Sequence, residues 1–147
     1  MFINSETEWS KLTAEILRRL PLGGVIGLSG GLGAGKTTFV RNFIETLSVR
    51  GGKKVPRVLS PSFVFRQSYP ELSPAVEHFD LYRLENINEA TLRELGVTEA
   101  IESAESTYVF IEWPEKILPG VVSFNLTVVW QPSETGRMIE LSDKKTF

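Results

Sequence analysis

Along the first twenty positions the apolar residues Trp9, Leu12, Ile16, Leu17 and Leu20 recur at steps of three and four. That spacing lines one face of a helix, which the pattern assigns to the core. Ser5, with Glu8 three residues on, has the spacing of a capping box, and the stripe stops before Pro21 and the Gly23-Gly24 pair. The pattern therefore predicts a helix starting near Ser5, after a short apolar start at Phe2 and Ile3. Positions 25–28 are continuously apolar between glycines and read as a buried strand. A second helix follows, carrying Phe39, Val40, Phe43, Ile44 and Leu47.

The second half of the chain is more broken. Positions 62–69 and 75–79 read as two strands joined by a turn around Pro70 and Pro74, which makes a hairpin. Positions 84–101 are polar with spaced apolar residues and are interrupted at Gly96, so one or two short helices are predicted there. Positions 108–111 read as another buried strand, and 121–130 and 138–141 as closing strands around a turn at 132–136.

Composition changes this picture little. The chain has 147 residues, 41% of them apolar and 23% charged, which suits one ordered domain over residues 1–147 that buries about 70% of its unfolded surface. The formal net charge of −2 gives no call for a polyanionic partner. Arg50, Lys53, Lys54 and Arg57 form the one cluster of positive charge, and a solvated surface loop is favoured there over a binding patch. With no cysteine there is no disulfide framework, thiolate nucleophile or Cys-based zinc site. The amino-terminal residues lack the pattern of a signal peptide, and no run of about 18 apolar residues appears, so a cytoplasmic protein without membrane contact is expected.

The chemistry is concentrated in Gly30-Gly31-Leu32-Gly33-Ala34-Gly35-Lys36-Thr37, which fits G-x-x-x-x-G-K-[ST] between an apolar strand and an amphipathic helix. Glycines let such a turn wrap with its N–H groups inward, and the helix dipole adds to their hold on a phosphate. Mg²⁺-ATP is the expected ligand. Gly31, Leu32, Gly33, Ala34 and Gly35 would supply the cradle, Lys36 would reach the β- and γ-phosphates, Thr37 would offer its hydroxyl to Mg²⁺, and Thr38 would donate to the α-phosphate.

Such a turn needs an acidic partner near the metal, at the end of a neighbouring strand. Asp80, after Val76-Glu77-His78-Phe79, and Glu112, after Val109-Phe110-Ile111, both qualify. The one histidine, His78, reads as a packed or hydrogen-bonded strand residue rather than a catalytic one. Trp113 suits either the core or a mobile lid over the nucleotide.

Three blocks together resemble the bacterial TsaE (YjeE) family of small ATPases needed for the threonylcarbamoyladenosine modification of tRNA. They are Gly33-Ala34-Gly35-Lys36-Thr37-Thr38-Phe39; Ser60-Pro61-Ser62-Phe63 with His78-Phe79-Asp80-Leu81-Tyr82-Arg83; and Ile111-Glu112-Trp113-Pro114-Glu115. The resemblance implies an α/β P-loop fold with a mixed, mostly parallel sheet flanked by helices. It implies Thr37 and Glu112 as magnesium ligands, Asp80 near the γ-phosphate, and catalysis by Lys36, Asp80 and Glu112. The Ser60 block becomes a switch segment, and Arg137 approaches the nucleotide together with residues 5–7. Gly31 stands where relatives usually have aspartate and Ser62 where threonine is usual.

By the same resemblance the protein would hydrolyse ATP slowly alone and faster when docked on TsaB and TsaD, touching tRNA indirectly or weakly and remaining a monomer when free. A small-molecule kinase and a nucleotide-dependent binding switch are the rival readings.

Overall fold

The structure, a computed structural model, describes residues 2–3, 6–61 and 63–143. In chain order its elements are β1 (Phe2–Ile3), α1 (Glu6–Arg19), β2 (Gly24–Ser29), α2 (Lys36–Arg50), β3 (Arg66–Tyr69), β4 (Ala75–Asp80), α3 (Glu89–Glu94), α4 (Val97–Glu102), β5 (Thr107–Glu112), a 3₁₀ turn (Pro114–Lys116), β6 (Leu126–Ser133) and β7 (Gly136–Asp143). The capping role read for Ser5 lies outside the described residues. Trp9, Leu12 and Ile16 of α1 are buried as their spacing requires, with Leu17 and Leu20 packed at the margin. All five apolar positions expected on α2 are buried. Asn88 caps α3 by accepting the Thr91 N–H at 2.9 Å. Gly96 separates α3 from α4 at φ +83°, a left-handed conformation that suits glycine.

The seven strands form one sheet in the order β1-β7-β6-β2-β5-β4-β3. The central run β6-β2-β5-β4 is parallel, while β7, β1 and β3 attach antiparallel at the edges. The sheet is thus mixed, as expected, with its parallel part buried at the centre where helices cover it. Register aligns Leu28 of β2 with Glu112 of β5, and Glu112 with Asp80 of β4. Three parallel strands therefore finish at one level, beside the turn that leads into α2, and that carboxyl end of an open sheet is where ligands bind.

Several boundaries differ from the sequence reading. The strand expected from position 62 begins only at Arg66, because the chain is still turning at Phe65, whose φ is +62°. The strand expected from 121 begins at Leu126, and the preceding loop instead buries Val122 and Phe124. β6 and β7 run further toward one another than expected and pair up to Ser133 and Gly136, leaving a two-residue loop. Phe2 and Ile3 pair with β7 as β1, a segment too short to display alternation.

One apolar cluster fills the space between the sheet and α1 and α2, and a second lies on the opposite face with α3 and α4. Aromatic rings dominate the first. Phe43 sits edge-on to Tyr108 at 4.8 Å and to Phe110 at 4.9 Å, while Phe39 meets Trp9, Trp130 and Phe110 at about 6 Å. The Tyr108 hydroxyl donates to the Leu20 carbonyl at 2.5 Å, tying the end of α1 to β5. No described helix is long and apolar enough to cross a membrane. Because Phe43 is fully buried among rings that cannot collapse inward, Phe43→Ala should cost about 3–5 kcal/mol, read as a lowered urea midpoint with little change in slope.

Candidate functional site

The chain leaves β2 at Ser29 and turns into α2 within six residues. Gly33 at φ +70° and Gly35 at φ +108° make that turn possible. A Cβ on Gly35 would also meet the Trp9 ring at 3.0 Å and an Arg137 nitrogen at 3.2 Å. Gly31 differs: it is exposed, and an added Cβ would touch nothing within 4 Å, so the turn has room for a side chain there.

Lys36 opens α2 and folds back over the turn. Its ammonium donates to the Gly30 carbonyl at 2.5 Å and to that of Gly31 at 2.9 Å, and lies 4.3 Å above the Trp113 ring. Burial pushes its pKa below the ordinary lysine value, against the opposing pull of Glu112, Glu115 and Asp80.

Thr37 and Glu112 meet although 75 residues apart in sequence: the hydroxyl donates to Glu112 Oε1 at 2.8 Å. Glu112 is only 3% exposed. The same Oε1 lies 2.8 Å from His78 Nε2, and His78 is fully buried on β4 with its other ring nitrogen unpartnered. An orphaned buried polar atom costs about 1–3 kcal/mol. Asp80, buried at the end of β4, accepts the Tyr82 N–H at 3.0 Å, and its own N–H donates to the Phe65 carbonyl at 3.0 Å.

A cleft of about 260 Å³ opens over the turn. Leu32, Gly33, Ala34, Gly35, Lys36, Thr37, Thr38, Asp80, Glu112 and Arg137 all line it, so the structure gathers nearly every residue singled out from the sequence. Gly31 lines instead an adjoining recess of about 290 Å³, walled by Trp130, Pro132 and Arg137. Arg137 reaches both from β7, and its Nη2 donates to the Gly33 carbonyl at 3.2 Å. Residues 5 and 62 lie outside the described residues. Phe63, next to Ser62, is 77% exposed and lies 4.3 Å beneath the Arg83 guanidinium.

Trp113 packs at the edge of the second apolar cluster and also lines the cleft. Half-buried at φ +62°, it donates its N–H to Leu28 at 3.1 Å and stands as a cleft wall, its ring 5.1 Å from Tyr82. Arg50, Lys53, Lys54 and Arg57 are exposed; Arg50 ends α2, about 21 Å from Lys36 along the helix axis, the other three follow in the loop after it, and none of the four lines the cleft. Sequence reasoning passed over Tyr82 as a cleft residue and His78 as a neighbour of Glu112. The second had a signal: residues two apart on a strand share a face, so Asp80 carries His78 with it.

Among the described residues no group of three or more His, Asp or Glu side chains converges to hold a metal ion. Thr37 and Glu112 do present two hard oxygens side by side at a helix N-terminus, a donor set that suits Mg²⁺ completed by phosphate and water and does not suit a softer metal.

Comparison with known proteins points to one family. The family model described as threonylcarbamoyl adenosine biosynthesis protein TsaE matches residues 3–139. The tRNA threonylcarbamoyladenosine biosynthesis protein TsaE of Rickettsia felis is 33% identical over 133 residues, covering 88% of this chain and 72% of its own. The protein of the same name from Synechocystis is 31% identical, covering 78% of this chain and 68% of its own. Among solved structures, Bacillus subtilis YdiB superposes with a TM-score of 0.60 at 24% identity, covering 95% of this chain and 82% of that one, which shows the shared fold. The chain belongs to the TsaE family.

Proposed function

We propose that this protein binds Mg²⁺-ATP in the cleft over the Gly30–Thr37 turn and hydrolyses it in the service of tRNA threonylcarbamoyladenosine synthesis. The observation that carries the reading is the 2.8 Å contact between Thr37 Oγ1 and Glu112 Oε1. It brings a metal-binding hydroxyl and a strand-end carboxylate together at the mouth of a phosphate-sized turn.

In this reading the N–H groups of residues 31–36 and the dipole of α2 hold the phosphates. Lys36 exchanges its two carbonyl partners for phosphate oxygens, which make stronger, charge-assisted bonds. Thr38, in the first helical turn, faces the α-phosphate. Thr37 and Glu112 hold Mg²⁺, which when bound neutralises charge gathering on the phosphate oxygens. Asp80, beside Glu112 in register, stands near the γ-phosphate and orients the attacking water. Water oxygen bonds to the γ-phosphorus as the bond to the bridging oxygen breaks, the water's proton passes to a phosphate oxygen, and ADP and inorganic phosphate leave. Arg137 lines both cleft and recess, which suits contact with the nucleoside end.

Arg137 is the one guanidinium among the residues lining the cleft, and it approaches from the β7 side, across β2 from Asp80 and Glu112. Among the described residues that line the cleft, Lys36 is the other positive side chain. An arginine finger is worth about 10³–10⁵ in rate, so the isolated monomer turns over slowly and docking on TsaB and TsaD accelerates it. The basic residues at the end of α2 and in the loop after it do not line the cleft, which fits a cytoplasmic protein that meets tRNA only indirectly or weakly.

A nucleotide-dependent switch is the second reading, favoured by the bond from the Asp80 N–H to Phe65, which ties the exposed Phe63 segment to the cleft wall.

Two outcomes follow. Glu112→Gln should retain ATP binding and lower single-turnover hydrolysis by about 10²–10³-fold, measured by phosphate release. Lys36 has a folded pKa below its unfolded value, so the unfolded chain holds the extra proton in the window just below 10.5 and stability rises with pH through it. Lys36→Met should flatten that alkaline rise in urea midpoint, while the opposing contributions of Tyr69 and Tyr108, whose pKa values burial raises, stay common to both proteins.

A further inference from the structure

His78 has no place in the mechanism above; as its sequence suggests, it is a packed and hydrogen-bonded strand residue. It is fully buried on the sheet face that carries Val76, Tyr108 and Phe110, where an apolar side chain would leave no polar atom to satisfy. One ring nitrogen is unpartnered there, so the imidazole adds an unsatisfied group to the core. The other contacts Glu112 Oε1 at 2.8 Å.

Both contacts of Glu112 fall on Oε1: the Thr37 hydroxyl and the His78 ring. They differ in kind. The Thr37 oxygen is the atom offered to the metal, so its bond to Glu112 must rearrange when nucleotide is loaded. His78 does not line the cleft, so its bond to Glu112 need not break when nucleotide is loaded. Without His78 the carboxylate would be free to rotate about its last torsion whenever Thr37 lets go. With it, Oε1 stays pinned to β4 and Oε2 keeps a fixed direction. An ionised carboxylate only accepts, so this contact calls for a proton on Nε2.

We propose that His78 is a positioning residue: its Nε2–H holds Glu112 in one orientation, so that the carboxylate is preorganised before Mg²⁺-ATP arrives. The proposal rests on the ATPase reading above and deepens it. Outer contacts of this kind typically change affinity or activity by about 10–100-fold. A group acting through another carboxylate and touching no phosphate should leave binding of the nucleotide itself alone.

The test uses the full chain and two substitutions. His78→Leu removes the donor; His78→Gln keeps an N–H at about the position of Nε2. ATP affinity without divalent ions is measured by calorimetry, and single-turnover hydrolysis with Mg²⁺ by phosphate release. His78→Leu should lower the rate by about 10–100-fold with metal-free ATP affinity unchanged within about two-fold, and His78→Gln should recover most of the loss. Because the chain holds a single histidine, nitrogen-15 spectra of the imidazole assign its tautomer without ambiguity. The protonated nitrogen should be Nε2, and its signal should move in Glu112→Ala.

A wild-type rate in His78→Leu, equal losses in both variants, or a proton on Nδ1 with Nε2 bare would each overturn the positioning role. Failure of the unaltered protein to bind ATP would instead remove the ATPase reading and this inference with it, a result distinguishable because it appears before any substitution is made. If His78→Leu fails to fold, His78→Gln and the tautomer spectra decide alone.

Discussion

A carboxylate taken out of water must find donors, and in this protein that requirement knits the site together. Glu112 ends a strand whose six residues are all buried, so its side chain cannot turn to solvent without leaving the sheet. Thr37 on α2 and His78 on β4 supply its contacts, and each comes from a different element. Removing one partner of a buried charge usually costs far more than the intact pair contributes, so the arrangement constrains where α2 begins and how β4 registers against β5. The glycine turn is then held from below by the sheet and from the side by the Thr37 contact.

The rest of the core serves that geometry. Phe39 and Phe43 lock α2 onto Tyr108 and Phe110 of β5, within two helical turns of Thr37. Trp9 links the opposite side: its ring contacts Phe39 and Trp130 and closes against Gly35. The cleft floor is therefore rigid. Its walls are less enclosed, since Tyr82 and Arg137 are exposed. A rigid floor with exposed walls suits a protein that holds a nucleotide by itself and completes the surroundings of that nucleotide with a partner.

Much of this was legible in the chain. The strand, glycine turn, lysine and helix were readable because each makes a local demand that few residue types meet: left-handed backbone at Gly33 and Gly35, an apolar run before them and a three-four stripe after. Asp80 and Glu112 were readable as polar residues closing apolar strands. What escaped depended on pairing across distance. The order of seven strands, the short β1 on β7, and the late start of β6 are set by register and loop burial that no local pattern encodes. His78 was assigned to structure because an imidazole on a strand carries no sign of its neighbour, and only the alignment of β4 with β5 shows that the neighbour is Glu112. Trp113 resisted assignment for the same reason: a half-buried ring standing between Lys36 and Tyr82 is defined by three separate elements.

The central claim is that the turn and its flanking carboxylate form a nucleotide site whose metal is shared between protein and phosphate. Isothermal titration of the unaltered protein with ATP, first in chelator and then in excess Mg²⁺, tests it most directly. The account predicts one site per chain in both titrations, with tighter binding when the metal is present. Absence of heat under both conditions, or an affinity indifferent to Mg²⁺, would contradict it.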